Sequence, residues 1–204
     1  MPGLKLKWPT LIVVCGRPLA GKSTVAKILQ KKLADGGEKV HWNDIDEVRR
    51  LLVGLPYPHP NESHELTMRD GQEMGAAYRF MNNAADWHLA NNRSLIMTYT
   101  MSRKVGQDQI SALTDKYAAT ARVVVIYCEP VNDTEEEIMT RLSRGFGEGG
   151  YVGGVNSYGR YKEVKDRFEP IELPHCTLDT SPPNTPEQCA QAALDYLVQL
   201  DLMQ

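Results

Sequence analysis

The stretch Leu11-Ile12-Val13-Val14-Cys15-Gly16-Arg17-Pro18-Leu19-Ala20-Gly21-Lys22-Ser23-Thr24 decides how this chain is read. Its first five residues are a continuous, β-branched apolar run, which suits a strand buried on both faces. From Lys22 to Asp35, the residues Val25, Ile28, Leu29 and Leu33 recur on one helical face, and Gly36-Gly37 stop the helix. Between the two, Gly16 to Ser23 fit G-x-x-x-x-G-K-[ST] without a gap. The glycines let the backbone wrap closely and turn its N–H groups toward phosphate oxygens. The amino end of the helix adds partial positive charge. Gly16, Arg17, Pro18, Leu19, Ala20, Gly21, Lys22, Ser23 and Thr24 are therefore the candidate cradle for a nucleoside triphosphate. Lys22 is expected to bridge the β- and γ-phosphates, Ser23 to ligate magnesium, and Thr24 to help at the α-phosphate. A plain strand-to-helix turn that happens to match is disfavoured, because motif and context agree.

Working outward, strands and helices alternate. Lys39–Asn43 reads as a second strand, followed by a helix over Asp46–Val53 with Val48, Leu51 and Leu52 on one face. After a proline-rich loop, a long helix is expected over His64–Asn91, with Met74, Ala77, Tyr78, Met81, Ala85 and His88 on one face. Gly71 and Gly75 weaken it by about 1 kcal/mol each, and mark close packing or a kink. Ser94–Tyr99 is the third strand, Gln107–Ala119 a weaker helix, and Arg122–Cys128 the clearest strand of all. Asp133–Arg144 reads as helix, with Asp133 and Glu136 spaced as a capping box. Tyr161–Phe168 is expected to be helical and Cys176–Leu178 a fifth strand. Thr185-Pro186-Glu187-Gln188 opens a last helix whose apolar face is Cys189, Ala192, Ala193, Tyr196, Leu197 and Leu200. Such alternation implies an α/β domain with a parallel sheet covered on both faces. Ligands bind such sheets beyond the carboxyl ends of the strands.

At one such end stands Asn43-Asp44-Ile45-Asp46-Glu47-Val48-Arg49. If Asp46 begins a helix, its carboxylate and the Arg49 guanidinium lie on neighbouring faces. Phosphorylation of a hydroxyl needs a carboxylate that orients the acceptor and takes its proton, and a cation that holds acceptor or phosphoryl group. The plain alternative is that Asp44 or Asp46 caps the helix and Arg49 lies on a solvated face.

The phosphate loop, Asp46-Glu47-Val48-Arg49, the helix bearing Arg141, and the ending Phe168-Glu169-Pro170…Leu178-Asp179-Thr180 together resemble the P-loop kinases. Within them the chain is most similar to the group of adenylyl-sulfate kinase, polynucleotide 5′-hydroxyl kinase and small ATP-dependent kinases, over nearly its whole length. The resemblance implies a P-loop NTPase fold with a five-stranded parallel sheet in the order 2-3-1-4-5. It implies ATP and Mg2+ as cofactors, Asp46 as general base, Arg49 as a contact to substrate or phosphoryl group, and a mobile lid around residues 141–162 whose Arg141 and Arg144 close over the triphosphate. The solvated end of a helix is the other reading of that arginine pair. Two departures stand out. The third strand ends without the aspartate often found there in this group, which leaves Asp44 to assist Ser23 at the metal. Gly145–Gly159 replaces the lid motif of adenylyl-sulfate kinases, which argues against adenylyl sulfate as acceptor.

The glycine-rich stretch is either a lid carrying Tyr151, Tyr158, Arg160 and Tyr161 or a passive surface loop. Tyr57, His59, His64, Arg69, Arg79, Trp87 and Arg103 are candidates to face the acceptor, with a structural or exposed position as the plain alternative for each, and Arg69 and Arg79 suit an anionic one. Thr180-Ser181-Pro182-Pro183 is placed to border the adenine. Composition narrows the partners: net charge is −3 with both signs interspersed, so no basic stripe follows a nucleic-acid backbone. The four cysteines have no C-x-x-C spacing and read as buried reduced thiols, and the histidines have no metal-ligand spacing. No apolar run is long enough for a membrane span, so the expected location is the cytoplasm. The function expected is a kinase acting on a hydroxyl of a small molecule or nucleotide. A nucleotide-dependent switch and a nucleotide-binding regulator are the alternatives; the lack of an N-K-x-D motif disfavours a GTPase.

Overall fold

The computed structural model describes residues 4–53, 68–147 and 155–204. Five strands, β1 (Thr10–Gly16), β2 (His41–Asp44), β3 (Leu95–Tyr99), β4 (Arg122–Glu129) and β5 (His175–Asp179), form one sheet in the order β2-β3-β1-β4-β5. Every neighbouring pair is parallel. The order places β1 at the centre, and all seven of its residues are buried. That is why its sequence is continuously apolar rather than alternating.

The helices are α1 (Lys22–Asp35), α2 (Ile45–Val53), α3 (Met68–Ala90), α4 (Lys104–Tyr117), α5 (Glu135–Gly147), α6 (Tyr158–Asp166) and α7 (Pro186–Gln199). One face of the sheet packs on α1 and α7 through Ile12, Val14, Leu29, Leu33, Ala193 and Leu197. The other face packs on α2, α3 and α4 through Leu11, Val13, Val48, Met81, Leu95 and Ile110. A third, small apolar cluster of Ile138, Leu142, Val155 and Tyr161 joins α5 to α6.

Several expectations shift. The helix after β2 begins at Ile45, because the Asp44 carboxylate caps it: Oδ1 accepts from the backbone N–H of Asp46 (2.9 Å). The helix after β4 begins at Glu135 and uses Thr134 as its cap, whose hydroxyl accepts from the Glu137 N–H. The expected Asp133–Glu136 capping box is not formed; Asp133 has other partners. α6 starts three residues earlier than expected, where Ser157 accepts from the Arg160 N–H. The Thr185–Gln188 capping box of α7 is present in full, but its buried face is rotated to include Ala190 and Leu194 and to leave Ala192 exposed. Among the described residues Gly71 and Gly75 do not mark close packing: a methyl at 71 would meet none of them within 4 Å, and one at 75 only the Arg79 side chain of its own helix. Of the cysteines, Cys15, Cys128 and Cys189 are buried free thiols, but Cys176 is half-exposed.

Candidate active site

A cavity of 1370 Å3 opens at the carboxyl ends of β1, β2, β3 and β5. Its floor is the turn from β1 into α1. Gly16 has φ +142°, and a Cβ there would lie 2.2 Å from the Cys128 carbonyl oxygen, so only glycine lets the turn pass against β4. Gly21, at φ +75°, precedes α1 and carries no side chain to cap it. The first N–H groups of α1 are thereby left for an anion. Lys22 donates to the Arg17 carbonyl at 2.7 Å, bridging the mouth of the loop. Burial pulls its ammonium below the ordinary lysine range, opposed by the negative charges of Asp46 and Asp44.

Leu19 adopts φ +62° inside this loop. A leucine in the left-handed region costs on the order of 1–3 kcal/mol and persists only where the surroundings hold it. Two things do so. Its side chain packs on the cluster joining α5 and α6, and its carbonyl accepts from Arg141 Nη1 at 3.1 Å.

Asp44 closes β2 and divides its carboxylate. While Oδ1 caps α2, Oδ2 accepts from the Ser23 hydroxyl (2.5 Å) and from the Thr98 hydroxyl (2.6 Å). The capping reading of Asp44 and the metal-assisting one therefore describe two oxygens of a single group. Thr98 stands on β3 beside β2, where the missing aspartate was noted. Ser23 and Asp44 offer hard oxygen donors side by side, which fits magnesium with its remaining positions filled by water and phosphate.

Asp46 lies one residue into α2, on the cavity wall beside Lys22 and Arg49. Burial, reinforced by the Asp44 charge, pushes its carboxyl up to about 7, against the pull of Lys22 and Arg49. Arg49 reaches across to Glu73 of α3 at 3.5 Å, with both side chains largely buried, so it is not on a solvated face.

Of the arginines expected to close over the triphosphate, Arg141 is anchored. It pairs with Glu137 (2.7 Å) and donates to the carbonyls of Leu19 (3.1 Å) and Thr180 (2.8 Å). It thus ties α5 to the phosphate loop and to the loop after β5. Arg144 lines the same cavity, and its side chain is exposed. Thr180, Pro182 and Asn184 border the end beyond β5, where the adenine was expected. At the other end stand Met74, Tyr78, Arg79, Tyr99, Arg103 and Gln109. Trp87 does not join them: it is exposed and covered by the Arg93 guanidinium, 5.3 Å from the ring centre. Tyr57, His59, His64, Tyr151 and the side chain of Arg69 lie outside the described residues.

Asp133 was read as a helix cap and is instead the hub beside the phosphate loop. Its Oδ2 pairs with Arg17 Nη1 (3.0 Å) and Lys165 Nζ (2.6 Å) and accepts from the Tyr161 hydroxyl (3.0 Å). Burial alone would raise its carboxyl, but these partners hold it below the ordinary aspartate range. Gln109, Glu73 and Arg167 also belong to the cavity or its wall without having been singled out; each sits in a polar stretch with no motif around it.

A central strand running into a glycine-bounded phosphate loop, within a parallel sheet ordered 2-3-1-4-5, is the architecture of the P-loop kinases. Residues 4–178 match the family model described as Zeta toxin, and the chain belongs to that family. No curated protein sequence matches it. Solved structures share the fold. A Chloroflexus aurantiacus protein superposes with a TM-score of 0.66 at 22% identity, over 95% of this chain and 98% of that one. The Mycobacterium tuberculosis APS kinase bound to AMPPNP and APS gives 0.64 at 16% identity, covering 94% and 98%. Shikimate kinase from Acinetobacter baumannii, bound to shikimate, gives 0.58 at 16% identity, covering 96% of each chain.

Proposed function

We propose that this chain is a single-domain, ATP-dependent kinase that transfers the γ-phosphoryl group to a hydroxyl of a small anionic molecule or nucleotide. The observation that carries the reading is Asp46: a carboxylate on the wall of a phosphate-binding cavity, beside Lys22 and Arg49, with its affinity for a proton raised to near neutrality. A general base works best when its pKa lies near the working pH. Asp46 would accept the acceptor's proton as the hydroxyl attacks. Lys22 would leave the Arg17 carbonyl for the β- and γ-phosphates, and the N–H groups of the loop and of α1 would hold the phosphate oxygens. Ser23 and Asp44 would hold magnesium, which supplies charge neutralisation between the phosphates.

An anionic acceptor is supported by Arg79 and Arg103, which line the end of the cavity opposite the base loop and have no ion-pair partner among the described residues. Closure of α5 and α6 over the phosphates of the bound nucleotide would exclude water and limit hydrolysis. The resemblance to kinases of small acceptors points the same way. Among the described residues no helix is long and apolar enough to cross a membrane, and a cytoplasmic setting, where ATP and Mg2+ abound, is part of the proposal.

The test is ADP release with Mg·ATP, alone and against nucleosides, nucleoside monophosphates, nucleotide sugars, 5′-hydroxyl oligonucleotides, sugars and sugar phosphates. Release that requires one acceptor and vanishes in Lys22→Ala is expected. Release that is indifferent to every acceptor would replace the kinase with a nucleotide-hydrolysing switch.

A further inference from the structure

The phosphate-loop motif leaves its four internal positions open, and this chain fills the third of them with a large apolar side chain where the backbone is left-handed. At φ +62° glycine would be the unstrained choice. The side chain packs on the cluster of Ile138, Leu142, Val155 and Tyr161, with Tyr158 and Val164 alongside, and the residue also lines the active-site cavity. All of those residues belong to α5, to α6 or to the approach to α6, and none to the sheet or to α1–α4. Leu19 is the phosphate loop's one member of that cluster.

A polar tie runs parallel to the apolar one. Arg17, two residues earlier in the loop, pairs with Asp133 at 3.0 Å, and Asp133 holds Lys165 (2.6 Å) and the Tyr161 hydroxyl (3.0 Å), both on α6. Arg160, Val164 and Arg167 of this same segment line the active-site cavity. Arg160 is braced by Glu163. The position of two cavity arginines is thereby set by how α6 sits on the phosphate loop.

From this geometry we infer that Leu19 is a positioning residue that couples the phosphate loop to α6, so that a loop filled by nucleotide fixes Arg160 of α6 and Arg167 at its carboxyl end over the same cavity. The inference rests on the nucleotide-binding part of the function proposed above, and on no part of the acceptor's identity. A leucine held in a glycine conformation is a local cost retained where packing over-determines it, and the packing here is against α5 and the segment that carries Arg160 and Arg167.

The experiment is amide hydrogen exchange on the full chain, with and without Mg·AMPPNP, for wild type, Leu19→Gly and Leu19→Met. Leu19→Gly relaxes the backbone and removes the hook; Leu19→Met keeps an apolar reach of similar volume. In wild type, nucleotide is expected to slow exchange both in residues 17–25 and in α6. In Leu19→Gly, at Mg·AMPPNP concentrations that saturate the variant, residues 17–25 should still be protected while protection of α6 no longer responds to nucleotide. Leu19→Met should restore the response. A response of α6 that persists in Leu19→Gly would overturn the inference, as would its absence in wild type. A Leu19→Gly chain that no Mg·AMPPNP concentration saturates would also overturn it, because the side chain would then act on the nucleotide rather than on α6. No acceptor is present in these measurements, so a failed kinase assignment leaves their outcome unaffected.

Discussion

Asp46 carries two consequences that can be separated by pH. As a base it must be unprotonated, so kcat/KM, which reports the free enzyme, should climb as pH rises through about 7 and level off above it. Asp46→Asn should keep nucleotide affinity near wild type and lower the rate by roughly 10²–10⁴, the span attributed to general-base assistance. For stability the sign runs the other way. The folded chain holds this proton more tightly than the unfolded one, so the stability it contributes is complete below the unfolded value and lost as pH rises through about 7. Asp46→Asn, which cannot ionise, should therefore melt higher than wild type at pH 8 and gain less at pH 5. Thermal melts at the two pH values check this. Equal melting at both would mean that the carboxylate is not strained by its surroundings.

Among the elements, α3 contains a removable weakness. Gly71 faces the cavity, and among the described residues a methyl there would meet nothing within 4 Å. Gly71→Ala should therefore raise unfolding stability by about 1 kcal/mol, the helix-propensity difference alone, measurable as a shift of the urea midpoint at unchanged slope. No gain would mean that the glycine conformation is used by something α3 contacts. Elements of this kind were readable from local pattern: β1, α1 and the phosphate loop between them occupy the residues that periodicity and motif assign. What escaped was long-range. Asp133 has the spacing of a cap, and only the fold brings it to Arg17, 116 residues away in the chain. The start of α6 lay in a polar stretch without periodicity, and the face of α7 was ambiguous because alanines and leucines surround the helix. Arg49 was legible as a functional candidate, but its pairing with Glu73 across α2 and α3 was not.

For the molecule as a whole, nucleotide binding and folding are linked because the cradle exists only in the folded chain. At a free concentration of Mg·ATP a hundred times its Kd, mass action adds about 2.7 kcal/mol. For a chain of 204 residues that is roughly 5–11 °C in Tm. A thermal shift of this size, absent in Lys22→Ala, is expected; an equal shift in that variant would place the nucleotide elsewhere. The cavity itself is continuous from the loop after β5 to Tyr78 and Arg79 of α3, Tyr99 of β3 and Arg103 before α4. Because among the described residues no wall divides the proposed nucleotide end from the proposed acceptor end, a single compound joining an adenosine phosphate to an acceptor analogue would lie in it unbroken. Its second half would bind at a local concentration on the order of millimolar, set by the tether rather than by the solution, which makes such conjugates a route to inhibitors whose selectivity is written by the acceptor half.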